Sequence, residues 1–186
     1  SFHEANGTES GIEAVGSNGV VCINTPRQQK LNDNDEAISL CDFVAPSPKK
    51  DHIGVFAITI SDSFIKEIED LKANNDQYKA LLLQSIADRL AEASSEYLHE
   101  KVRKELWGYA KDEDLSVKEM FKAHYKGIRP AIGYPSLPSQ KEMFNLAKLI
   151  DYSKIGITLT ENGAMYPQAS VSGIYIANEE SEYFYI

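Results

Sequence analysis

The residues best suited to bind a small ligand lie in a stretch rich in proline and glycine, residues 127–138. Arg129 precedes Pro130, and a residue before proline favours extended backbone, so its side chain can point out of a stiff loop. A guanidinium offers two parallel N–H donors that match a carboxylate. Gly133 permits close backbone approach, and Tyr134 adds an aromatic ring. The stretch predicts a site for a carboxylate-bearing small molecule; a stiff connector without a ligand is the alternative.

A second pattern, Glu96 followed three residues later by His99, has the spacing that di-iron proteins use on a helix. Such sites need a second copy and two further glutamates, and this sequence has one copy. An ion pair of Glu100 with Arg103 or Lys104 is the better prediction for this region. No P-loop, GxSxG or zinc-ligand spacing occurs. No GxGxxG follows a strand, which argues against the Rossmann-type methyltransferases.

Composition restricts the function classes. The chain has 186 residues and a net charge of −9, which disfavours binding to nucleic acids and to anionic membranes. No stretch approaches the ~18–20 apolar residues of a membrane span. Cys22 and Cys41 form no CxxC and are expected to be reduced thiols; a disulfide is the less favoured alternative. With no signal peptide at residues 1–17, we expect a cytoplasmic protein.

The elements that must position residues 127–138 are predicted from periodicity. Apolar runs at 12–15 and 20–23, separated by Gly16-Ser17-Asn18-Gly19, predict a β-hairpin. Residues 52–60 predict a buried strand, and 155–160 alternate like a strand. A second hairpin is predicted from 170–176 and 182–186. An exposed loop is expected at 26–37.

Helices are predicted between these strands. Ser61 begins a short helix near Phe64, and a long helix covers residues 76–107. Shorter helices are expected at 117–123 and after Ser139, to about residue 150. The main apolar face of the long helix consists of Tyr78, Leu82, Ile86, Leu90, Ala93 and Tyr97, and a second stripe of Ala87, Ala91, Leu98, Val102 and Leu106 widens it. The predicted fold class is α+β, with a mostly antiparallel twisted sheet covered by long helices.

Arg129-x-x-x-Gly133-Tyr134-Pro135 matches an RxxxGYP motif, and the match extends along the chain. The sequence resembles the S-adenosylmethionine-binding reactivation domain of cobalamin-dependent methionine synthase over roughly residues 25–185. The further matching segments, in chain order, are 41–46, 87–93, 96–100, 107–110, 159–161, 164–167 and 169–173. Their common order makes coincidence a poor explanation, although RxxxGYP alone would be a weak signal.

The resemblance implies a function in methionine biosynthesis. The domain is expected to bind S-adenosylmethionine and present its methyl group to cobalamin, which a partner module of methionine synthase carries. One electron from a flavodoxin or similar reductase and the sulfonium methyl then convert inert cob(II)alamin to methylcobalamin. The domain supplies positioning rather than a general acid or base. The chain is thus expected to be part of a methyltransferase, and it is not expected to act alone.

Residue roles also follow from the resemblance. Arg129 is expected to bind the methionyl carboxylate. The backbone around Ala131, Gly133, Tyr134 and Ser136 is expected to line the adenosine, and Tyr183 and Phe184 match an aromatic pair in a ligand-contacting strand. Glu92 is expected in the site, with a solvated helix carboxylate as its alternative.

We expect residues 1–186 to form a single activation domain that is shortened at its N-terminus; shortening at the C-terminus is left open. In the family, a preceding helical segment contributes an aspartate for the ligand's amino group, and the sequence has no match to it. Two alternatives remain: a non-catalytic, stand-alone module that binds S-adenosylmethionine or a protein, and a purely structural domain with a rigid proline loop.

Overall fold

The main sheet has five strands, all paired antiparallel, in a computed structural model that describes residues 1–31 and 36–186. The strands are β1 (Phe2–Gly7), β2 (Gly11–Gly16), β3 (Gly19–Asn24), β4 (Asp51–Thr59) and β7 (Ser170–Tyr175), in the spatial order β3-β2-β1-β4-β7. Two further strands, β5 (Thr158–Leu159) and β6 (Met165–Tyr166), form a separate pair. Residues 32–35 of the loop expected at 26–37 lie outside the described residues.

The first predicted hairpin and the buried strand are confirmed. β2 and β3 pair with Val15 opposite Val20 and Gly16 opposite Gly19. β4 corresponds to the buried strand predicted at 52–60. It lies between β1 and β7, and its successive residues Val55 and Phe56 are both buried, on opposite sides of the sheet. β1 was not predicted, because its short sequence, FHEANG, lacks a run of apolar residues.

The four α-helices of the described residues lie between β4 and β7 in the chain. Their bounds are α1 (Asp62–Ala73), α2 (Gln77–Lys101), α3 (Val117–Met120) and α4 (Glu142–Leu146), with short 3₁₀ turns at Leu40–Phe43 and Tyr152–Ile155. The predicted long helix is confirmed as α2, which continues into a wider π-helical turn at Val102–Leu106. The helices predicted at 117–123 and after Ser139 are present but shorter. No helix in residues 1–31 and 36–186 is long and apolar enough to cross a membrane.

The prediction that the main apolar face of α2 is buried was wrong, whereas the predicted second stripe is buried at Ala87, Ala91 and Val102. The six residues of the predicted main face are all exposed; Leu82, for example, is 51% exposed. The buried side consists of the small residues Ala80, Ala87, Ala91 and Ser95 together with His99. Small side chains let the helix axis approach α1 and the sheet closely, so close packing selects the narrower stripe over the larger apolar one.

The predicted strand at 182–186 was also wrong. Residues 182–186 form no strand, because part of the edge of β7 that the segment would pair with is already hydrogen-bonded to residues 128–132. The segment instead lies against Ser136, whose side chain bonds to the backbone of Phe184. The alternation at 155–160 yields only the short β5, since Tyr152–Ile155 form a 3₁₀ turn.

Two layers of side chains fill the interior. On one side of the sheet, a large cluster joins β2, β3 and β4 to residues 132–157 and includes Ile12, Ile23, Leu137, Met143, Leu146 and Ile157. On the other side, Phe56, Val171 and Tyr175 pack against Ala91 and Val102 of α2 and its π-helical turn. The predicted α+β architecture is therefore confirmed, and it holds α2 across β4 and β7, beside residues 127–138.

Candidate functional site

The proline-rich loop is anchored to the edge strand β7. The N–H of Ile128 donates to Ile176 O at 2.9 Å, and the N–H of Ile174 donates to Pro130 O at 3.0 Å. Gly173 makes this approach possible, since a Cβ atom there would lie 2.3 Å from Pro130 O. The backbone on both sides of Arg129 is therefore held by the sheet, which fixes the position of its Cα.

A cavity of about 280 Å³ lies between α2, this loop and the C-terminal segment. Seven of the eight predicted site residues line it: Glu92, Arg129, Ala131, Tyr134, Ser136, Tyr183 and Phe184. Gly133 does not line the cavity. It adopts φ +87°, and its N–H donates to Leu137 O at 2.9 Å, so its role is to form the turn.

Arg129 lies in the wall of the cavity and is almost fully buried. Its side chain is 9% exposed, and its Nη2 donates to Glu96 Oε1. Burial, the largest single effect, lowers the pKa of Arg129, but the charge and hydrogen bond of Glu96 together with the nearby Tyr183 and Tyr125 more than offset it. The pKa is therefore raised, and the guanidinium stays charged. Its Nε is buried and has no hydrogen-bond partner. An unpaired buried donor is costly, so an acceptor that reached Nε would stabilise the site.

Glu92 lies one helical turn before Glu96 and faces the other end of the loop. The hydroxyl of Tyr134 donates to Glu92 Oε1. Burial, followed by this contact with Glu92, raises the pKa of Tyr134 to about 12, so the hydroxyl remains a donor at neutral pH. Two carboxylates on successive turns of α2 thus reach the loop at Arg129 and at Tyr134.

The C-terminal segment closes a third side of the cavity. Ser136 Oγ donates to Phe184 O at 2.8 Å and accepts from the Phe184 N–H at 3.2 Å. The Phe184 side chain is buried in the larger core cluster. Tyr183 is 42% exposed, and its hydroxyl accepts from the Arg129 N–H at 2.9 Å and bonds to the Tyr125 hydroxyl at 3.2 Å.

A buried histidine, His99, lies behind the wall of the cavity. His99 is 0% exposed, stacks on Tyr175 with ring centroids 5.2 Å apart, and contacts the Tyr109 hydroxyl through Nε2 at 3.3 Å. Burial, then the positive charges of Arg103 and Arg129, lower the pKa of His99 to about 2, so the ring is neutral. Its Nδ1 is buried without a partner.

A buried ion pair, Arg103 with Glu113, lies behind the cavity wall. Arg103 Nε donates to Glu113 Oε2 at 2.7 Å, and the two side chains are only 1% and 9% exposed. The Arg103 guanidinium lies 4.4 Å from the centre of the Tyr125 ring, and Tyr125 bonds to Tyr183 in the cavity wall. Arg103 of this pair therefore contacts the cavity wall at Tyr125. Of the two partners predicted for Glu100, Lys104 is the one that pairs with it, at 3.0 Å, while Arg103 pairs with Glu113.

Sequence reasoning missed five lining residues: Glu96, Tyr125, Pro130, Pro135 and Tyr185. A signal for Glu96 existed, because residues 92 and 96 are four apart on a helix and share a face. The sequence pattern around Glu96 suggests only a metal-ligand role for it. Across residues 1–31 and 36–186, no group of three or more His, Cys, Asp or Glu side chains is placed to hold a metal ion.

A larger groove elsewhere carries none of the predicted site residues. It has a volume of about 700 Å³ and lies between residues 17–21 and residues 147–159. Its lining lacks a buried charged side chain, whereas the smaller cavity holds Arg129. The chemistry therefore points to the cavity at Arg129, despite its smaller volume.

Comparisons with known proteins identify the family of this chain. A family model described as "Vitamin B12 dependent methionine synthase, activation domain" matches residues 1–186. A solved structure, titled "Crystal Structure of the MetH Reactivation Domain bound to AdoHcy", is 40% identical, with a TM-score of 0.90 over 99% of this chain. The match spans 59% of that chain. The protein described here belongs to the activation-domain family of vitamin B12-dependent methionine synthase.

Proposed function

We propose that this domain binds S-adenosylmethionine in the cavity at Arg129. The observation that carries the proposal is a buried, charged guanidinium with an unpaired Nε, set in the wall of a cavity beside Glu92 and Glu96. The similar solved domain holds AdoHcy, which is S-adenosylmethionine without the transferred methyl group. A pocket of about 280 Å³ is near the lower end of the usual range for small-molecule sites.

The cavity walls match the parts of this ligand. Arg129 is suited to the methionyl carboxylate, because a charge-assisted contact between the two is strong and directional. Tyr134 and Tyr183 offer aromatic surface for the adenine ring and the cationic sulfonium. The backbone near Ala131 and Ser136 completes the wall on the loop side. The ligand carries a net charge of +1, and the described charged residues lining the cavity, one arginine and two glutamates, sum to −1.

The proposed role of the bound ligand is to supply a methyl group in methionine biosynthesis. Its sulfonium would give the methyl to cobalamin held by another module of methionine synthase, with one electron from a flavodoxin or similar reductase. The residues of this chain would bind and orient the ligand, and the anchored loop would keep the methyl group in a fixed position. The single domain formed by residues 1–186 would carry out this presentation in the cytoplasm.

Calorimetric titration with S-adenosylmethionine tests the binding. We expect saturable binding that Arg129→Ala weakens about 10-fold or more, since a hydrogen bond to a charged group contributes about 1.5–3 kcal/mol. Arg27→Ala is the matched control: Arg27 pairs with Asp42 away from the cavity, so its loss should leave the affinity unchanged. Equal affinities of the wild type and Arg129→Ala would instead support a structural connector.

A second measurement separates methyl presentation from binding alone. The domain, S-adenosylmethionine, the cobalamin-binding module of a relative and a reductase are combined, and the absorbance of methylcobalamin is followed. Formation of methylcobalamin that depends on the domain supports presentation. Ligand binding without methylcobalamin would favour the alternative of a non-catalytic binding module.

A further inference from the structure

We infer that Arg103 is a positioning residue for the ligand cavity, although it does not line the cavity itself. It holds the ring of Tyr125, which holds Tyr183 in the cavity wall, and that residue in turn holds the backbone of Arg129. The inference rests on the proposed function and deepens it, because it names a residue behind the wall that keeps the wall ordered for S-adenosylmethionine. In the sequence, Arg103 is predicted only as one of two ion-pair partners for Glu100.

The first support is an unbroken series of contacts. The Arg103 guanidinium lies 4.4 Å from the centre of the Tyr125 ring. The Tyr125 hydroxyl bonds to the Tyr183 hydroxyl at 3.2 Å, and the latter accepts from the Arg129 N–H at 2.9 Å. The last three of these residues line the cavity. One contact through a ring and two through hydroxyl groups therefore connect Arg103 with the residue proposed to bind the ligand carboxylate.

The second support is that Glu113 holds the same segment from another side. Its Oε2 accepts from Arg103 Nε at 2.7 Å, and its Oε1 accepts from the N–H of Lys126 at 3.3 Å. Lys126 is the residue that follows Tyr125. His99 contacts the Tyr125 ring edge-on, with ring centroids 4.8 Å apart. The ion pair and the histidine therefore hold both the ring of Tyr125 and the adjoining backbone.

The third support is energetic. Arg103 and Glu113 are only 1% and 9% exposed, and Arg103 Nη1 is buried without a hydrogen-bond partner. Taking two charges out of water costs free energy that their mutual attraction often fails to repay, and well-packed apolar residues at such sites are often equally or more stabilising. A buried ion pair with an unpaired donor is therefore a poor means of stabilising the fold, and its geometric effect on Tyr125 explains its presence better.

A purely structural role for the ion pair would have a different consequence. If the pair only stabilised the fold, its replacement by apolar residues would lower stability, and affinity would follow stability. If it positions Tyr125, affinity falls while the protein stays folded. Replacing both partners separates the two roles, because it removes the cation at the ring and the acceptor for Lys126 without leaving one buried charge unpaired.

The experiment compares Arg103→Met/Glu113→Leu with the wild type by calorimetric titration of S-adenosylmethionine and by urea unfolding. We expect the double variant to unfold at a urea concentration equal to or above that of the wild type. We expect it to bind the ligand about 2- to 10-fold more weakly, as for the loss of one hydrogen bond. Glu100→Leu/Lys104→Met is the matched control: it removes an ion pair whose members do not line this cavity, and it should leave the affinity unchanged.

The hydroxyl contact between Tyr125 and Tyr183 is tested by a milder change. Tyr125→Phe keeps the ring and removes only the hydroxyl. We expect it to weaken binding about 2- to 10-fold in the otherwise wild-type protein, and by less than about 2-fold in the Tyr183→Phe background. A general loss of stability would not produce this dependence on Tyr183.

NMR of the ligand-free protein with ¹³C-labelled tyrosine follows the cavity wall without any binding measurement. We expect the ring signals of Tyr183 to shift in Arg103→Met/Glu113→Leu and to stay in place in Glu100→Leu/Lys104→Met. The same spectra show whether each variant is folded.

Each remaining outcome has a definite meaning. Wild-type affinity in Arg103→Met/Glu113→Leu overturns the inference and leaves the proposed function standing, as does an equal effect of Tyr125→Phe in both backgrounds. A double variant that unfolds at a markedly lower urea concentration also overturns it, in favour of a stabilising role. If the wild type does not bind S-adenosylmethionine, the proposed function fails. Unchanged Tyr183 signals would then overturn the inference as well, whereas shifted signals would support the series of contacts.

Discussion

A single buried residue, His99, makes the folding stability of the domain depend on pH. The ring is neutral and inaccessible, with a pKa of about 2 against an ordinary value of 6.5. The folded protein therefore takes up this proton much less readily than the unfolded chain. Since the folded pKa is depressed, the stability due to neutral His99 is complete above pH 6.5 and is lost progressively as the pH falls towards 2.

Replacing His99 tests this linkage. We expect the free energy of unfolding of the wild type to fall by about 1.5 kcal/mol more than that of His99→Phe between pH 6.5 and pH 5. Phenylalanine retains a ring for the stack on Tyr175 and removes the titrating group. Urea unfolding at several pH values provides the measurement. Parallel pH profiles for the two proteins would contradict the assigned pKa.

At the scale of elements, the contact between β7 and the proline-rich loop determines the geometry of the cavity. We expect Gly173→Ala to destabilise the protein by about 1–3 kcal/mol, in the range for overpacking, and to weaken binding of S-adenosylmethionine. The reason is that the added Cβ would lie 2.3 Å from Pro130 O and 2.7 Å from Ala131 Cα, so the backbone beside Arg129 must move.

Gly16→Ala is the control for that change, with thermal unfolding and calorimetry as the measurements. A Cβ atom added at Gly16 would lie 3.1 Å from its nearest neighbour, the flexible side-chain atom Leu149 Cδ2. Gly16 does not line the cavity. We expect a smaller loss of stability and no loss of affinity. If Gly173→Ala bound the ligand as well as Gly16→Ala does, the position of the loop would not control the site.

Substitutions on the buried and on the exposed face of α2 should change the free energy of unfolding by different amounts. Ala87 is 0% exposed, so Ala87→Leu should cost about 1–3 kcal/mol through overpacking. Leu82 is 51% exposed, so Leu82→Ala should change the free energy of unfolding by only about 0.5 kcal/mol. Chemical denaturation of both variants compares them. A larger effect for Leu82→Ala would mean that the face predicted from the sequence is the buried one after all.

At the scale of the whole molecule, charge should govern which form of the ligand is preferred. The chain has a net charge of −9, S-adenosylmethionine carries +1, and AdoHcy is neutral overall. Lowering the salt concentration from about 0.5 M to about 0.02 M increases the Debye length, so charges interact over a longer distance. We expect the affinity for S-adenosylmethionine to rise on the order of 5-fold, while that for AdoHcy stays nearly constant. Titrations of both ligands at the two salt concentrations measure this, and equal responses would contradict it.

Much of the architecture followed from local patterns. The hairpin of β2 and β3 was predicted because its turn residues are local in sequence, and β4 because its apolar run can only be buried. Arg129 and Tyr134 were identified by residue type and motif, and the fold places both in one cavity with Tyr183 and Glu92. Their roles as ligand contacts stay predictions until binding is measured.

What the sequence determined by itself was therefore the hairpin of β2 and β3, the buried strand β4, the order of the helices and the chemistry of the loop, since these depend on neighbours within a few residues. Only the tertiary structure decided which face of α2 is buried, because both faces carry apolar residues and close packing selects the smaller ones. It also decided that residues 128–132 rather than 182–186 pair with β7. The pairing of Glu96 with Arg129 depends on the same long-range packing, since 33 positions separate the two residues in the chain.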